Sequence, residues 1–203
     1  MAKVLIAYND AATEDMRNFF VNCADSIKNE CVQLGIEYDL LTPPDLTEAN
    51  LMLIMESAQF CYVAAHGDAG SVYNEIGDKL VATMLATTNY NLSGKAFFAI
   101  SCNCAKELKD DLIRIGLKLF VGYNDKYTEY EGYDEFVESA NSGAKIFLAG
   151  CNVAQMKKHM LDTYDRCIDY LEGKSAMAVD ALLNNRESLV IEGDDDLTIK
   201  DLL

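Results

Sequence analysis

The chain has 203 residues, half of them hydrophobic, with only two prolines, seven cysteines and a net charge of −16. That length and composition exclude a disordered chain and suit one domain over residues 1–203 with a sizeable core. The charge argues against nucleic acid and against anionic membrane surfaces as partners, and no apolar run reaches the roughly 18 residues of a membrane span.

The acidity permits basic partners or substrates, although solubility alone accounts for it equally well. The cysteines are odd in number and fall mostly at apolar positions. They read as reduced core thiols rather than a disulfide framework. The first residues, Met1 to Ala7, run straight into Tyr8-Asn9-Asp10 and lack the long apolar core and cleavage site of a signal peptide. The expected setting is the cytoplasm.

Lys3 to Tyr8 reads as a buried strand. Ala11 to Leu34 reads as an amphipathic helix, with Met16, Phe19, Phe20, Cys23, Ile27, Cys31 and Leu34 on one stripe. Glu14 and Asp15 fall in its first turn and Gly35 follows its end, both favourable placements. Glu37 to Leu41 is a short strand closed by Thr42-Pro43-Pro44. Asp45 and Glu48 have capping-box spacing and are expected to open a helix to about Ala58.

Phe60 to Ala65 is apolar on both faces, as a central parallel strand should be. It is expected to end in a glycine-rich loop, His66-Gly67-Asp68-Ala69-Gly70. Ser71 to Leu92 reads as a loop and a helix. Lys95 to Ile100 is another apolar strand, ending at Ser101-Cys102-Asn103-Cys104, with a helix expected from there to about Ile115. Lys118 to Tyr123 is a further strand. The remainder is largely helical, with one stripe from Val153 to Leu171 and a helix over Ala176 to Asn185. Ser188 to Glu192 forms a last strand before the acidic turn Gly193-Asp194-Asp195-Asp196. Strands alternating with helices predict an α/β class: a three-layer α/β/α sandwich on a largely parallel sheet.

In such sheets functional groups gather at the carboxyl ends of strands. His66 and Cys102 stand at two such ends. A cysteine nucleophile must become a thiolate; an imidazole can take its proton, and a helix N-terminus can stabilise the charge. The developing oxyanion of a carbonyl substrate needs donors, which the backbone N–H groups of Gly67 and Cys102 can supply. The bland alternative is a satisfied polar histidine beside a core cysteine.

The stretch Phe60-Cys61-Tyr62-Val63-Ala64-Ala65-His66-Gly67 resembles the His-Gly strand end of caspase-like peptidases. Phe97-Phe98-Ala99-Ile100-Ser101-Cys102-Asn103 resembles the nucleophile strand of the CHAT branch of that clan. Leu117 to Tyr123 is similar to the strand after it. The His66-to-Cys102 gap is 36 residues, shorter than the about 50 of caspases, and the caspase pentapeptide is missing. The resemblance is therefore to the wider clan that includes clostripain, gingipains and separase.

It implies a caspase-like fold and a cysteine endopeptidase with His66 and Cys102 as dyad, no obligatory third member and no cofactor or metal. Its partners are expected to be a protein or peptide substrate and an activating protein acting in trans. Clostripain-like members carry a pocket carboxylate two residues before the nucleophile. Ile100 stands there, and Asp125 is the substitute that the resemblance offers for substrate binding. The alternative is a catalytically silent scaffold or protein-binding domain on the same fold.

Other features compete. Cys102, Cys104 and His66 make a poor zinc set, with C-x-C spacing and no fourth ligand. Cys104 can instead pair with an oxidised Cys102, or pack inside the first turn of its helix, the reading preferred. His159 reads as a solvated helix edge, and Asp194 to Asp196 as a solvated turn without EF-hand spacing. Tyr123, Tyr127, Tyr130 and Tyr133 read equally as a cleft rim or as half-buried loop aromatics.

Overall fold

Residues 3–12, 15–74, 79–82 and 91–202 are described by a computed structural model. In chain order they form β1 (Lys3–Tyr8), α1 (Arg17–Leu34), β2 (Glu37–Leu41), α2 (Glu48–Met55), β3 (Phe60–Ala64), β4 (His66–Asp68), β5 (Ser71–Tyr73) and β6 (Lys79–Ala82). Then follow β7 (Ala96–Ile100), α3 (Leu108–Arg114), β8 (Leu119–Tyr123), α4 (Glu135–Leu148), α5 (Val153–Leu171), α6 (Ala176–Ser188) and β9 (Leu189–Gly193), with a closing 3-10 turn at Ile199–Leu202.

Six strands make the main sheet in the order β2-β1-β3-β7-β8-β9. The first five run parallel and β9 returns antiparallel to β8. The central strands are fully buried because both their faces are covered. Alternation along each strand sends side chains to opposite cores. Val4, Ile6, Tyr62, Phe98, Ile100, Val121 and Tyr123 face α1, α4, α5 and α6. Leu5, Ala7, Cys61, Val63, Phe97, Ala99 and Phe120 face α2 and α3. The α/β class with helices on both faces of a mostly parallel sheet is as the sequence implies.

The chain leaves β1 for β2 on one side and returns to β3 on the other. Right-handed crossovers in opposite directions put α1 and α2 on opposite faces. The strand order thus reverses at β1 and β3, where open α/β sheets place their crevice.

Several element boundaries differ from expectation. Helix α1 starts at Arg17, not Ala11, and Glu14 lies outside the described residues. Residues 9–11 are held out of the helix: Asn9 Oδ1 accepts the Ala11 N–H at 3.3 Å, and Arg17 Nε donates to the Asp10 carbonyl at 2.8 Å. Its stripe is buried through Cys31, while Leu34 is exposed at the helix end, where Gly35 turns left-handed at φ 66°.

Thr47, not Asp45, caps α2, its Oγ1 accepting the Asn50 N–H. Asp45 offers its carbonyl to Asn50 Nδ2 instead. The expected glycine-rich loop opens instead with a strand, β4, because His66 to Asp68 pair with Ser71 to Tyr73, and the region expected as loop and helix, Ser71 to Leu92, contains β5 and β6. With β4 they form a small antiparallel sheet, and residues 75–78 and 83–90 lie outside the described set.

Candidate active site

The β3–β7 ladder fixes the relative position of the two expected catalytic residues. Each β3 residue pairs with the β7 residue 36 positions later, from Phe60↔Ala96 to Ala64↔Ile100. The Ala65 N–H to Ile100 carbonyl bond, 3.3 Å, carries the pairing one step beyond. The gap from His66 to Cys102 is the same 36 residues. Both residues therefore leave the sheet two positions past the last ladder pair, at neighbouring strand ends.

They also emerge on the same face. The His66 ring meets the edge of Phe20 on α1, with centroids 5.5 Å apart at 82°. Cys102 packs against the same α1/α4 core.

Gly67 and Ser101 meet at the same exits. A Cβ on Gly67 would lie 2.1 Å from Ser101 Oγ, 2.9 Å from the Cys102 carbonyl oxygen and 3.0 Å from the Ser71 carbonyl oxygen. Only glycine allows the two exits to approach this closely. Behind it, the hairpin is fastened by Asp68. Its Oδ1 accepts the Gly70 N–H at 2.9 Å and the Ser71 hydroxyl at 2.7 Å, and the Tyr73 hydroxyl donates to Oδ2. The hairpin tip reaches the segment after Cys102: the Ala69 carbonyl accepts the N–H groups of Glu107 and Leu108, both at 3.0 Å.

The expected helix at Cys102 is absent; α3 begins at Leu108. The backbone donors after the cysteine go elsewhere. Asn103, at φ 57°, gives its N–H to the Asp125 carbonyl at 2.9 Å, and Ala105 gives its own to the Tyr123 carbonyl at 3.0 Å. Cys102 therefore does not sit at the N-terminus of α3.

Cys102 is half-buried and its S–H points to the Tyr127 carbonyl at 3.7 Å. Burial pushes its thiol above the ordinary value and Asp125 adds to the rise, while the Tyr127 backbone and then Lys126 pull the other way. The thiol is neutral near pH 7 in this arrangement.

Asp125 is exposed, follows β8 and is brought beside the site by its backbone bond to Asn103. Its carboxylate accepts the Lys126 N–H at 2.7 Å. Cys104 is buried, with Sγ on the Ser101 carbonyl at 3.4 Å and its thiol pushed by burial to about 12. It is a core residue as preferred, though in a turn and not a helix. Among the described residues no three His, Cys, Asp or Glu side chains gather as a metal-binding group.

His159 and Asp194 to Asp196 are exposed, as read. Tyr123 and Tyr127 are core residues, which corrects the reading of all four tyrosines as rim or half-buried loop aromatics. Tyr130 and Tyr133 are the half-buried pair. They line, with Phe19, Glu129, Glu131 and Asp134, a cleft of about 170 Å³.

No family model matches the chain and no curated protein matches it. Solved structures do. The complex of the pro- and mature domains of RgpB from Porphyromonas gingivalis aligns with a TM-score of 0.66 at 10% identity, over 98% of this chain and 48% of that one. The Arg-specific cysteine proteinase gingipain R (RgpB) aligns with a TM-score of 0.66 at 11% identity, over 97% and 46%. The chain shares the caspase-like fold of gingipain R. It spans about half the length of these gingipain chains. At such identity the likeness carries the fold, and the chemistry has to be argued from this chain's own residues.

Two features escaped the sequence. Ser101 Oγ is buried and has no hydrogen-bond partner among the described residues, a costly state for a hydroxyl. Nothing local marks it. The segment 124–128, which covers Cys102, is gripped by the end of α6. The signal available was Asn184-Asn185 inside a helix with buried apolar neighbours, where a buried amide must have a partner.

Proposed function

We propose that this chain is a cysteine endopeptidase in which His66 and Cys102 form the dyad. The observation that supports it is the shared 36-residue offset of ladder and dyad, which delivers both side chains to one face at adjacent strand ends. His66 takes the Cys102 proton as the sulfur attacks the scissile carbonyl carbon. The oxyanion is received by the N–H groups of Gly67 and Cys102. His66 returns the proton to the leaving amine, and water then hydrolyses the thioester. Asp125, tied next to the thiol through Asn103, is the carboxylate offered to a basic residue of the substrate. An activating protein acts in trans, since the resting thiol is neutral and bonded to Tyr127.

The test is an electrophilic peptide probe applied to wild type, Cys102→Ala and His66→Ala. Labelling of wild type with loss in both variants is expected. Label retained in Cys102→Ala would end the reading. The same neutral thiol favours a second reading, a silent scaffold on this fold. No labelling and no cleavage of any peptide library, with equal alkylation rates in wild type and His66→Ala, would establish that one.

A further inference from the structure

Residues 124–128 cross Cys102 as a strap, and every residue of it is tied down. The Asn124 N–H donates to the Ser188 carbonyl at 2.8 Å, and the Asp125 carbonyl accepts the Asn103 N–H at 2.9 Å. The Lys126 carbonyl accepts Asn184 Nδ2 at 3.0 Å. The Tyr127 carbonyl accepts the Cys102 S–H at 3.7 Å. Thr128 is held twice by one side chain: its N–H donates to Asn185 Oδ1 at 3.0 Å, and its carbonyl accepts Asn185 Nδ2 at 2.7 Å.

Three of these grips come from the last turns of α6. Asn185 itself is fully buried, so breaking its pair of bonds strands polar groups on both sides. The Tyr127 ring locks the middle of the strap. It stacks on Phe19 at 5.5 Å, meets Tyr123 edge-on at 4.7 Å, and its hydroxyl donates to the Phe136 carbonyl.

We propose that Asn185 is a positioning residue for Cys102: by clamping Thr128 it holds the Tyr127 carbonyl on the thiol, and so keeps the sulfur covered and partly desolvated. A carbonyl oxygen has only lone pairs to offer, so it suits a thiol that donates a proton and not a thiolate that has none. Nucleophilic use of Cys102 then requires the strap to lift from the Tyr127 end. The end of α6, remote in sequence from the cysteine, is the handle by which a partner lifts it. This deepens the dyad reading and rests on Cys102 being the reactive thiol, but its readout is thiol chemistry and needs no peptide cleavage.

The experiment is iodoacetamide alkylation of the native full chain near pH 7, followed residue by residue by mass spectrometry. Cys151, the other half-buried thiol, is the internal control. In Asn185→Ala, Cys102 alkylation rises about 10-fold or more, which corresponds to about 1.4 kcal/mol of lost strap stability, while Cys151 keeps its wild-type rate. Asn184→Ala, which removes only the Lys126 contact, gives a smaller rise in the same direction and guards against misfolding of the first variant.

Hydrogen exchange of the Thr128 and Asn103 amides accelerates in step with alkylation. An unchanged Cys102 rate in both variants, with the Thr128 amide exchanging faster, overturns the proposal. A rise shared equally by Cys151 also overturns it, because general loosening then suffices. Loss of peptide-probe labelling with the alkylation pattern intact would count against the dyad and leave the clamp standing.

Discussion

The two faces of the sheet are built from the same strands but in different ways. The face toward α2 and α3 is mostly apolar, with Phe97 stacked on Phe120 at 6.1 Å and a layer of Leu, Met and Val around them, and one buried amide tie from Asn74 Nδ2 to the Leu46 carbonyl at 3.1 Å at its margin. The face toward α1, α4, α5 and α6 is equally buried yet threaded with polar ties. Tyr62 donates to Asn141 Oδ1 at 2.5 Å, Asn141 Nδ2 donates to the Cys23 carbonyl at 3.0 Å, and the Tyr123 and Tyr164 hydroxyls meet at 2.8 Å. His66 and Cys102 emerge on this second face.

Apolar contacts tolerate small slides. Directional bonds do not, because a buried amide or hydroxyl that loses its partner is penalised. The polar ties thus fix the height of α1 and α4 against β3, and with it the position of Phe20 beneath the His66 ring.

The largest effect that breaks this contrast is a pair of truncations, one on each face. Phe97→Ala is expected to cost about 3–5 kcal/mol through its cavity. Asn141→Ala should cost about 1–3 kcal/mol, chiefly through the Tyr62 hydroxyl left without its Asn141 acceptor. Urea unfolding measures both. The faces separate in the double variant Tyr62→Phe with Asn141→Ala, which should be less damaged than the sum of its parts. Strict additivity would mean that the Tyr62–Asn141 bond contributes nothing.

Next in size is Gly67→Ala, where the two faces meet at the strand exits. Its Cβ would press on Ser101 Oγ and on the Cys102 carbonyl oxygen. The expected cost is about 1–3 kcal/mol, together with loss of peptide-probe labelling at Cys102. Unaltered stability and labelling would show that the hairpin can move aside.

The smallest effect concerns pH. Burial raises the Cys104 thiol on the apolar face from 9.0 to about 12, and it raises the Cys23 thiol on the polar face in the same direction. A group raised in the folded state stabilises below its unfolded value and loses that contribution as pH climbs toward the folded one. Stability should therefore fall from about pH 9 upward, by up to about 1.4 kcal/mol per pH unit for each buried thiol. Urea midpoints at pH 7, 9 and 10 measure it. The slope above pH 9 should be shallower in Cys104→Ala whatever that variant's overall stability. An identical slope would mean that Cys104 is not buried as described.

Much of the fold was legible because its elements are strongly patterned. Phe60 to Ala65 and Lys95 to Ile100 are short, apolar on both faces and bounded by polar turns, which leaves little besides a central parallel strand. The Val153 to Leu171 stripe gave its helix almost to the residue. The failures came where backbone donors found distant partners. The turn after Cys102 looks helical locally, but Asn103 and Ala105 give their N–H groups to Asp125 and Tyr123. The start of α1 failed for the local version of the same reason, since Asn9 and Asp10 take the bonds that a longer helix would use.

The sequence by itself determined that His66 and Cys102 follow two buried apolar strands, because the apolar runs end just before them, at Ala65 and Ile100, and the spacing between them is written in the chain. Tertiary structure alone decided the register that turns 36 residues into adjacency, since pairing depends on which strand lies beside β3. It also decided the state of the sulfur. Covered by the strap and bonded to a backbone carbonyl contributed 25 positions away, Cys102 is a half-buried, neutral thiol, and no local pattern of residues encodes that contact.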